Sequence, residues 1–393
     1  MSKKLFLNGA DAVAEAMRQI NPDVVAAYPI TPTTHIVEKF SKFVADGKVK
    51  TEFVTVESEH SAMSACIGAS ASGGRVMTAT ASQGLIYMAE ALFCASGFRL
   101  PIVLINGNRA LSSPLSIHTD HSDSMAIRDS GFVQVYAKNA QEAYDLTIQA
   151  IRIAEHKDVR TPVMVCIEGF QNTHTLDSVV VEDDEVVKKF LGEFEPVDSL
   201  LDIDNPVTYG AAVKPDFFFE IKRQQLEGIN CAYDVMKSVG EEFGKITGRD
   251  YSKVYEEYGL EDADVAIVLM SSSYSTALGV TENMRESGKK IGLLRPKLFR
   301  PFPDTEIVEK LKGLKAVAVL DRSMPQGAKY GPLCTEIVTA LFNVGKRPKV
   351  YNFIHGIGSR ETYPSHYDEV FEFLLSSLDE VKEDKLRFLN LNE

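Results

Sequence analysis

A chain of 393 residues, 45% hydrophobic and 25% charged, has an ordinary soluble composition and enough length for two or three domains. Its net charge of −13 argues against non-specific nucleic-acid binding and against an anionic membrane surface. No apolar run is as long as a membrane span, and the apolar part of Met1 to Gly9 is too short for a signal peptide, so the expectation is a cytoplasmic protein.

In chain order, Asp11–Ile20 carries the apolar period of a helix and Val24–Ala27 reads as a strand. The strand runs into Tyr28-Pro29-Ile30-Thr31-Pro32-Thr33-Thr34, where two prolines enforce a rigid loop. Ile36, Val37, Phe40, Phe43 and Val44 mark an amphipathic helix. Phe53–Val56 is a short strand, followed by Glu57-Ser58-Glu59 and a small-residue helix that ends at Gly73-Gly74. Arg75–Ala79 is a strand, Leu85–Ser96 one helix, and Pro101–Ile105 a strand ending in Asn106-Gly107-Asn108-Arg109. After a polar loop come a strand at Val133–Tyr136, a long helix at Ala140–Glu155 and a strand at Pro162–Ile167. Strands and helices alternating in this way build a parallel sheet covered on both faces.

Residues 176–213 are acidic, lack a clear period and read as a surface connection. Pro215–Thr247 is a helix stopped by Gly248, with Phe218, Phe219, Leu226, Tyr233, Met236 and Phe243 as candidate core contacts. Alternation then resumes. Strands are expected at Val265–Met270, Ile291–Leu294, Ala316–Leu320 and Lys349–Ile354. Helices are expected at Tyr274–Glu286, Thr305–Leu311, Pro332–Phe342 and His366–Leu375. The division is therefore 1–250, including the connection and long helix, and 260–393, a second α/β domain.

Common signatures fail. His355-Gly356-Ile357-Gly358-Ser359-Arg360-Glu361 has Glu361 where a dinucleotide fingerprint needs glycine. Gly68–Gly74 has no following Lys-Ser/Thr, so it is not a phosphate loop. Ser82 has Thr80 where a hydrolase elbow needs glycine, and no helix-opening context to expose a nucleophile. Cys66, Cys94, Cys166, Cys231 and Cys334 are scattered and read as buried free thiols; no Cys-x-x-Cys occurs for zinc or an iron–sulfur cluster. His118, Asp120, His121 and Asp123 sit in a loop without metal-ligand spacing, which favours hydrogen bonding or a subunit contact. Arg295 to Pro303 is either a basic corner for anions or a proline-rich turn, and the prolines favour the turn.

Three residues each follow a strand of the first sheet: Thr31, Glu59 and Arg109. Parallel strands place such loops along one edge, where open α/β sheets bind ligands. A guanidinium and a hydroxyl suit a substrate carboxylate, which leaves the acid for proton chemistry or a cofactor nitrogen. An acid opening a helix also meets the positive end of its dipole. The plainer reading is that Ser58 or Glu57 caps the helix.

Tyr28-Pro29-Ile30-Thr31-Pro32, Glu57-Ser58-Glu59, Thr80-Ala81-Ser82-Gln83-Gly84 and Arg109-Ala110 together resemble the first domain of the pyruvate:ferredoxin oxidoreductase family. Residues 262–345, with Arg300-Pro301-Phe302-Pro303, resemble its second, transketolase C-terminal-like domain. The resemblance covers nearly the whole chain and fits the alpha subunit of the multi-subunit form. It implies a pyrimidine-type thiamine-diphosphate-binding α/β domain. It also implies oxidative decarboxylation of a 2-oxoacid, pyruvate first, to its coenzyme A ester in anaerobic metabolism, with electrons passed to ferredoxin. By it, Glu59 faces N1′ of the cofactor, with Glu57 as its rival. Thr31 and Arg109 hold the substrate carboxylate, and Tyr28, Pro29 and Ile30 wall the pyrimidine pocket. No Gly-Asp-Gly with a following Asn is present for magnesium and diphosphate, and no cysteine cluster. The cofactor's diphosphate end with Mg2+, and the iron–sulfur clusters, are thus expected on beta-, gamma- and delta-type partner subunits. The same subunit type serves branched-chain 2-oxoacid and 2-oxoglutarate enzymes. The reading of another class is a non-catalytic scaffold subunit.

Overall fold

The computed structural model describes residues 2–380 and 382–392. The first half runs β1 (Lys3–Asn8), α1 (Gly9–Ile20), β2 (Val24–Ala27), α2 (Thr34–Ala45), β3 (Glu52–Thr55), α3 (Glu59–Ala71) and β4 (Val76–Thr80). It continues through α4 (Ser82–Tyr87), α5 (Ala89–Gly97), β5 (Ile102–Asn108), α6 (Ser122–Ala126), β6 (Val133–Tyr136), α7 (Ala140–Glu155) and β7 (Val163–Glu168). Then come β8 (Leu176–Val181), α8 (Asp184–Leu191) and the 33-residue α9 (Pro215–Thr247). The remainder is β9 (Tyr255–Tyr258), β10 (Val265–Val268), α10 (Ser273–Glu286), β11 (Ile291–Pro296), β12 (Leu298–Arg300), α11 (Asp304–Leu311), β13 (Ala316–Asp321), α12 (Pro332–Leu341), β14 (Lys349–Ile354), α13 (Pro364–Ser376) and β15 (Arg387–Phe388).

Side-chain chemistry sets the ends of these elements. Asn8 and Asn139 cap α1 and α7 by accepting the N–H of Asp11 and Glu142, at 2.7 and 2.9 Å. Gly248, at φ 77°, ends α9 in the left-handed conformation that glycine adopts without strain.

Seven strands form the first sheet, in the order β12-β6-β7-β5-β4-β2-β3. Six are parallel, and only the edge strand β12 runs antiparallel, against β6. The second sheet has the order β15-β14-β13-β10-β11-β9, with β9 antiparallel at its edge. Strands β4, β5, β6 and β7 are buried throughout, as sheets covered on both faces require. The chain thus leaves the second sheet after β11 and extends the first with β12. The Arg295–Pro303 stretch is part of this crossing, its structural reading. Arg295 is fully buried and bridges Glu142 at the start of α7 to Glu256 on β9, each at 2.7 Å.

Four expectations are corrected. Residues 176–191 are not an irregular connection: β8 pairs antiparallel with β1, and α8 buries Val187, Phe190 and Leu191. The ribbon carries little apolar period because four of the six β1 residues are exposed. The helix expected over 85–96 is two helices broken at Met88; an apolar run gives no sign of such a break. Of the candidate contacts on α9, Met236 and Phe243 are buried, whereas Phe218, Phe219 and Leu226 are exposed, because α9 buries residues only from Gly228 onward and touches the body earlier through polar bonds at Gln224 and Gln225. Cys66, Cys166 and Cys334 are buried, but Cys94 and Cys231 lie on the outer faces of α5 and α9.

A buried polar cluster joins the two sheets. Glu168, at the end of β7, accepts from Arg322 at 2.7 Å and from Ser272, and meets His121 at 3.0 Å. Burial opposes the Glu168 carboxylate, but Arg322 and His121 outweigh it and hold its pKa at about 2. Nearby His355 is pulled down to about 3, by burial first and Arg322 second. An unfolded chain protonates His355 near its ordinary value of about 6.5, so stability is lost as pH falls from there towards 3. Asp321, raised to about 6 by burial, takes up its proton early on folding and offsets part of that loss. Replacing His355 with Gln should shrink the loss in unfolding free energy between pH 7 and pH 5 by about 2 kcal/mol. Urea melts at the two pH values measure this; equal losses in both proteins would refute it.

Candidate active site

The loops after β5, β4, β2 and β3 stand side by side, because these four parallel strands are neighbours in that order. The chain goes from β2 to β3 on one side and returns to β4 on the other. The strand order therefore reverses between β2 and β4, where open α/β sheets open a crevice at their carboxyl ends. Tyr28–Thr33 follow β2, Glu57–Glu59 follow β3, Thr80–Gly84 end β4 and Arg109 follows β5.

The tripeptide after β3 divides its tasks. Ser58 is the cap of α3, its Oγ accepting the N–H of Ser61 at 3.2 Å. Glu57 is exposed and accepts the Ser61 hydroxyl at 2.7 Å, a bond that holds its carboxyl below the usual range. Glu59, the first residue of the helix, is only 7% exposed. Its carboxylate makes no hydrogen bond or ion pair with any described residue. Two neighbours define its niche: a Cβ on Gly84 would fall 2.6 Å from Glu59 Oε1 and 2.6 Å from Thr80 Oγ1. Only glycine leaves room there. Thr80 Oγ1 is itself buried without a partner. The Thr80 hydroxyl is thus a buried group without a partner, and the unpaired Glu59 carboxylate beside it is open to a ligand.

Arg109 is buried and spans the crevice floor, donating from Nη1 to the Thr31 carbonyl at 3.0 Å and from Nε to the Ser116 carbonyl at 3.1 Å. Burial lowers its pKa, and Asp123 pulls the other way. Thr31 and Tyr28 are exposed, Pro29 is exposed and Ile30 is half-buried. The loop is seated from below, since a Cβ on Gly107 or Gly169 would meet Thr33 or Pro32 at 2.7 Å. Thr33 also donates to the Ile30 carbonyl at 2.8 Å. The structure thus brings Thr31 and Arg109 into contact and sets Glu59 against the neighbouring loop after β4.

The supporting residues were harder to foresee. Asp123 is fully buried and accepts from the backbone N–H groups of Ser82, Arg109 and Ser124, at 3.0, 3.0 and 2.7 Å, and from Asn108 at 2.8 Å. It locks the loop after β4 to the end of β5. Burial raises its pKa, and these donors oppose the rise. His121 belongs to the Glu168 cluster, and Asp120 accepts from Ser122 at 2.5 and 2.9 Å, so the polar-loop cluster serves hydrogen bonding. Among the described residues no group of three or more His, Cys, Asp or Glu is arranged to hold a metal. Ser82 does open a helix, at φ 51°, against expectation, but it is fully buried and its Oγ donates to the Ala110 carbonyl at 2.7 Å. Gly84 enters the sequence reading only within Thr80-Ala81-Ser82-Gln83-Gly84, a motif that carries the family resemblance.

Residues 15–241 match the family described as pyruvate flavodoxin/ferredoxin oxidoreductase, thiamine diphosphate-binding, and residues 263–367 match pyruvate:ferredoxin oxidoreductase core domain II. The chain belongs to the pyruvate:ferredoxin oxidoreductase family. Within it, pyruvate synthase subunit PorA of Thermotoga maritima is 48% identical over 391 residues, covering 100% of this chain and 99% of that protein. Ketoisovalerate oxidoreductase subunit VorA of Pyrococcus abyssi is 41% identical over 382 residues, covering 97% and 96%. A solved 2-oxoglutarate:ferredoxin oxidoreductase from Magnetococcus marinus, bound to 2-oxoglutarate, coenzyme A and succinyl-CoA, has the same fold at a TM-score of 0.74 and 19% identity, over 94% of this chain and 65% of that one. For this family's cofactor, the unpaired Glu59 carboxylate beside the Gly84 niche fits a group that offers a ring nitrogen. No helix of the described residues is long and apolar enough to cross a membrane.

Proposed function

We propose that this chain is the alpha subunit of a pyruvate synthase and that it holds the aminopyrimidine half of thiamine diphosphate. The observation that carries the reading is the buried, unpartnered Glu59 carboxylate in a niche that only Gly84 leaves open. Glu59 would face N1′ of the aminopyrimidine, where a carboxyl can take up or release a proton. When bound, the cofactor supplies the nucleophilic carbon and the electron sink for decarboxylation. Tyr28, Pro29 and Ile30 wall the pyrimidine. Arg109 and the Thr31 hydroxyl grip the substrate carboxylate by charge-assisted hydrogen bonds. The exposure of Tyr28, Pro29 and Thr31 leaves one side of the crevice for another subunit to close.

The diphosphate with Mg2+, the iron–sulfur clusters, coenzyme A transfer and the electron exit to ferredoxin belong to beta-, gamma- and delta-type partners in a cytoplasmic assembly. The division is 1–250 for the thiamine part and 260–393 for the transketolase C-terminal-like part. Pyruvate is favoured by the 48% identity to a pyruvate synthase subunit, and the loop at Thr31 carries no charged side chain for a second substrate carboxylate. The 41% identity to a ketoisovalerate enzyme keeps a branched-chain substrate as the second reading.

The chain on its own should show no pyruvate-dependent dye reduction, and adding its partners should restore it; activity of the isolated chain would overturn the half-site assignment. In the assembled enzyme, Arg109→Gln should raise KM for pyruvate by about 10- to 100-fold, from loss of a charged hydrogen bond of about 1.5–3 kcal/mol. An unchanged KM would remove Arg109 from the substrate site.

A further inference from the structure

A cleft of about 430 Å3 opens where the two sheets meet, and Lys138, Tyr251, Lys253, Tyr255, Glu256 and Lys297 contribute to its walls. None of Tyr28–Thr31, Glu59 or Arg109 lines it. Lys138 follows β6 and Lys297 follows β11, so the cleft collects residues from the carboxyl ends of parallel strands in both sheets.

Its charges are unevenly satisfied. Glu142 is taken by Arg295 at 2.7 Å, Glu256 by Lys138 at 2.6 Å and by Arg295, and Glu257 by Lys310 at 2.7 Å. Asp250 accepts from Ser252, and Arg249 is engaged by Asp145 and Glu182. Lys297 is left over. It is only 9% exposed, and its ammonium has no hydrogen bond or ion pair with any described residue; the Tyr251 ring, 5.2 Å away, is its nearest recorded contact. Lys253, at the rim, is also without an ion pair and lies 6.0 Å from the Tyr255 ring.

Glu142 and Glu256 attract the Lys297 ammonium, but both carboxylates are bonded to Arg295 and Lys138, so an anion in the cleft supplies the direct partner that Lys297 lacks. The arginine forks that grip carboxylates are occupied, and the free donors are two ammonium point charges, which suit phosphate. The rings of Tyr251 and Tyr255 already carry lysine ammoniums, Lys310 at 5.6 Å among them, so stacking a nucleobase is not the main attraction.

We propose that this cleft binds a phosphate-bearing small anion through Lys297 and Lys253, at a site separate from the thiamine crevice. Because both sheets supply its walls, the bound anion ties them together. Calorimetric titration of the full chain with inorganic pyrophosphate tests this. Binding should weaken about tenfold or more in Lys297→Met, which keeps the side-chain length, and in the rim variant Lys253→Glu, whose fold should be untouched. Displacement by inorganic phosphate would assign recognition to the phosphate group alone, and tighter displacement by AMP would assign a nucleotide source. No binding by the folded wild-type chain, or equal affinity in Lys253→Glu, would overturn the proposal.

Discussion

Glu59→Gln should lower turnover of the assembled enzyme by about 10²- to 10⁴-fold, the usual contribution of a positioned proton-transfer group. Glutamine has nearly the volume of glutamate, so the Gly84 niche stays filled and the fold is kept. What is lost is a carboxyl that can hold or release a proton at the pyrimidine nitrogen. Glu57→Gln is the matched control, two residues away, exposed and bonded to Ser61, and its turnover should be unchanged. If Glu59→Gln retained full activity while Glu57→Gln lost it, the assignment would pass to Glu57. Full activity in both would favour the scaffold reading.

Arg295→Met should destabilise the chain by about 3–5 kcal/mol, the cost of breaking a buried ion pair by removing one partner. Arg295 is fully buried between two carboxylates. Burial alone would raise the pKa of Glu142, yet the adjacent Arg295 guanidinium reverses the sign and holds it below its ordinary value. The same balance holds at Glu256, where Lys138 adds to the pull. A folded-state carboxyl held low contributes stability above its unfolded pKa and loses it as pH falls. Removing Arg295 leaves Glu142 buried beside Lys138 and Lys297 without its main partner. The double variant Arg295→Met/Glu142→Leu should recover much of the loss, because an apolar pair of similar volume avoids the stranded charge. Urea unfolding of the wild type, both single variants and the double variant measures the coupling. A loss below about 1 kcal/mol for Arg295→Met would show that the pair does not hold the sheets together.

Where local chemistry and burial agree, the amino-acid pattern places elements to the residue. Val24–Ala27, Ala140–Glu155, Pro215–Thr247 and Lys349–Ile354 have the same bounds in the sequence reading and in the structure. Each has a strong apolar period, a cap or a proline to set its end. The elements missed are those that bury little. β1 and β8 form an exposed two-stranded ribbon, β9 is the charged run Tyr-Glu-Glu-Tyr at a sheet edge, and β12 has three residues. No periodicity marks a three-residue strand that crosses to another sheet.

The crevice was legible in outline because parallel strands bring their following loops to one edge, so Thr31, Glu59 and Arg109 could be grouped from their positions alone. Its detail was not. Whether Glu57 or Glu59 is buried depends on where α3 starts: Ser58 caps it, Glu57 stays outside and Glu59 opens the helix against Gly84. Asp123 reaches Ser82 and Arg109 only through a loop that carries no period. The cap reading was also right, for Ser58: one tripeptide caps a helix and presents a buried acid.

Purification of this chain from its native cells without oxygen decides whether it works inside a thiamine-dependent assembly. The eluate is then assayed for thiamine diphosphate, iron, co-purifying subunits and dye reduction dependent on both pyruvate and coenzyme A. The account predicts that all of these co-elute and that pyruvate is preferred over branched-chain 2-oxoacids. A chain that elutes alone from intact extract, without cofactor or activity, would contradict it.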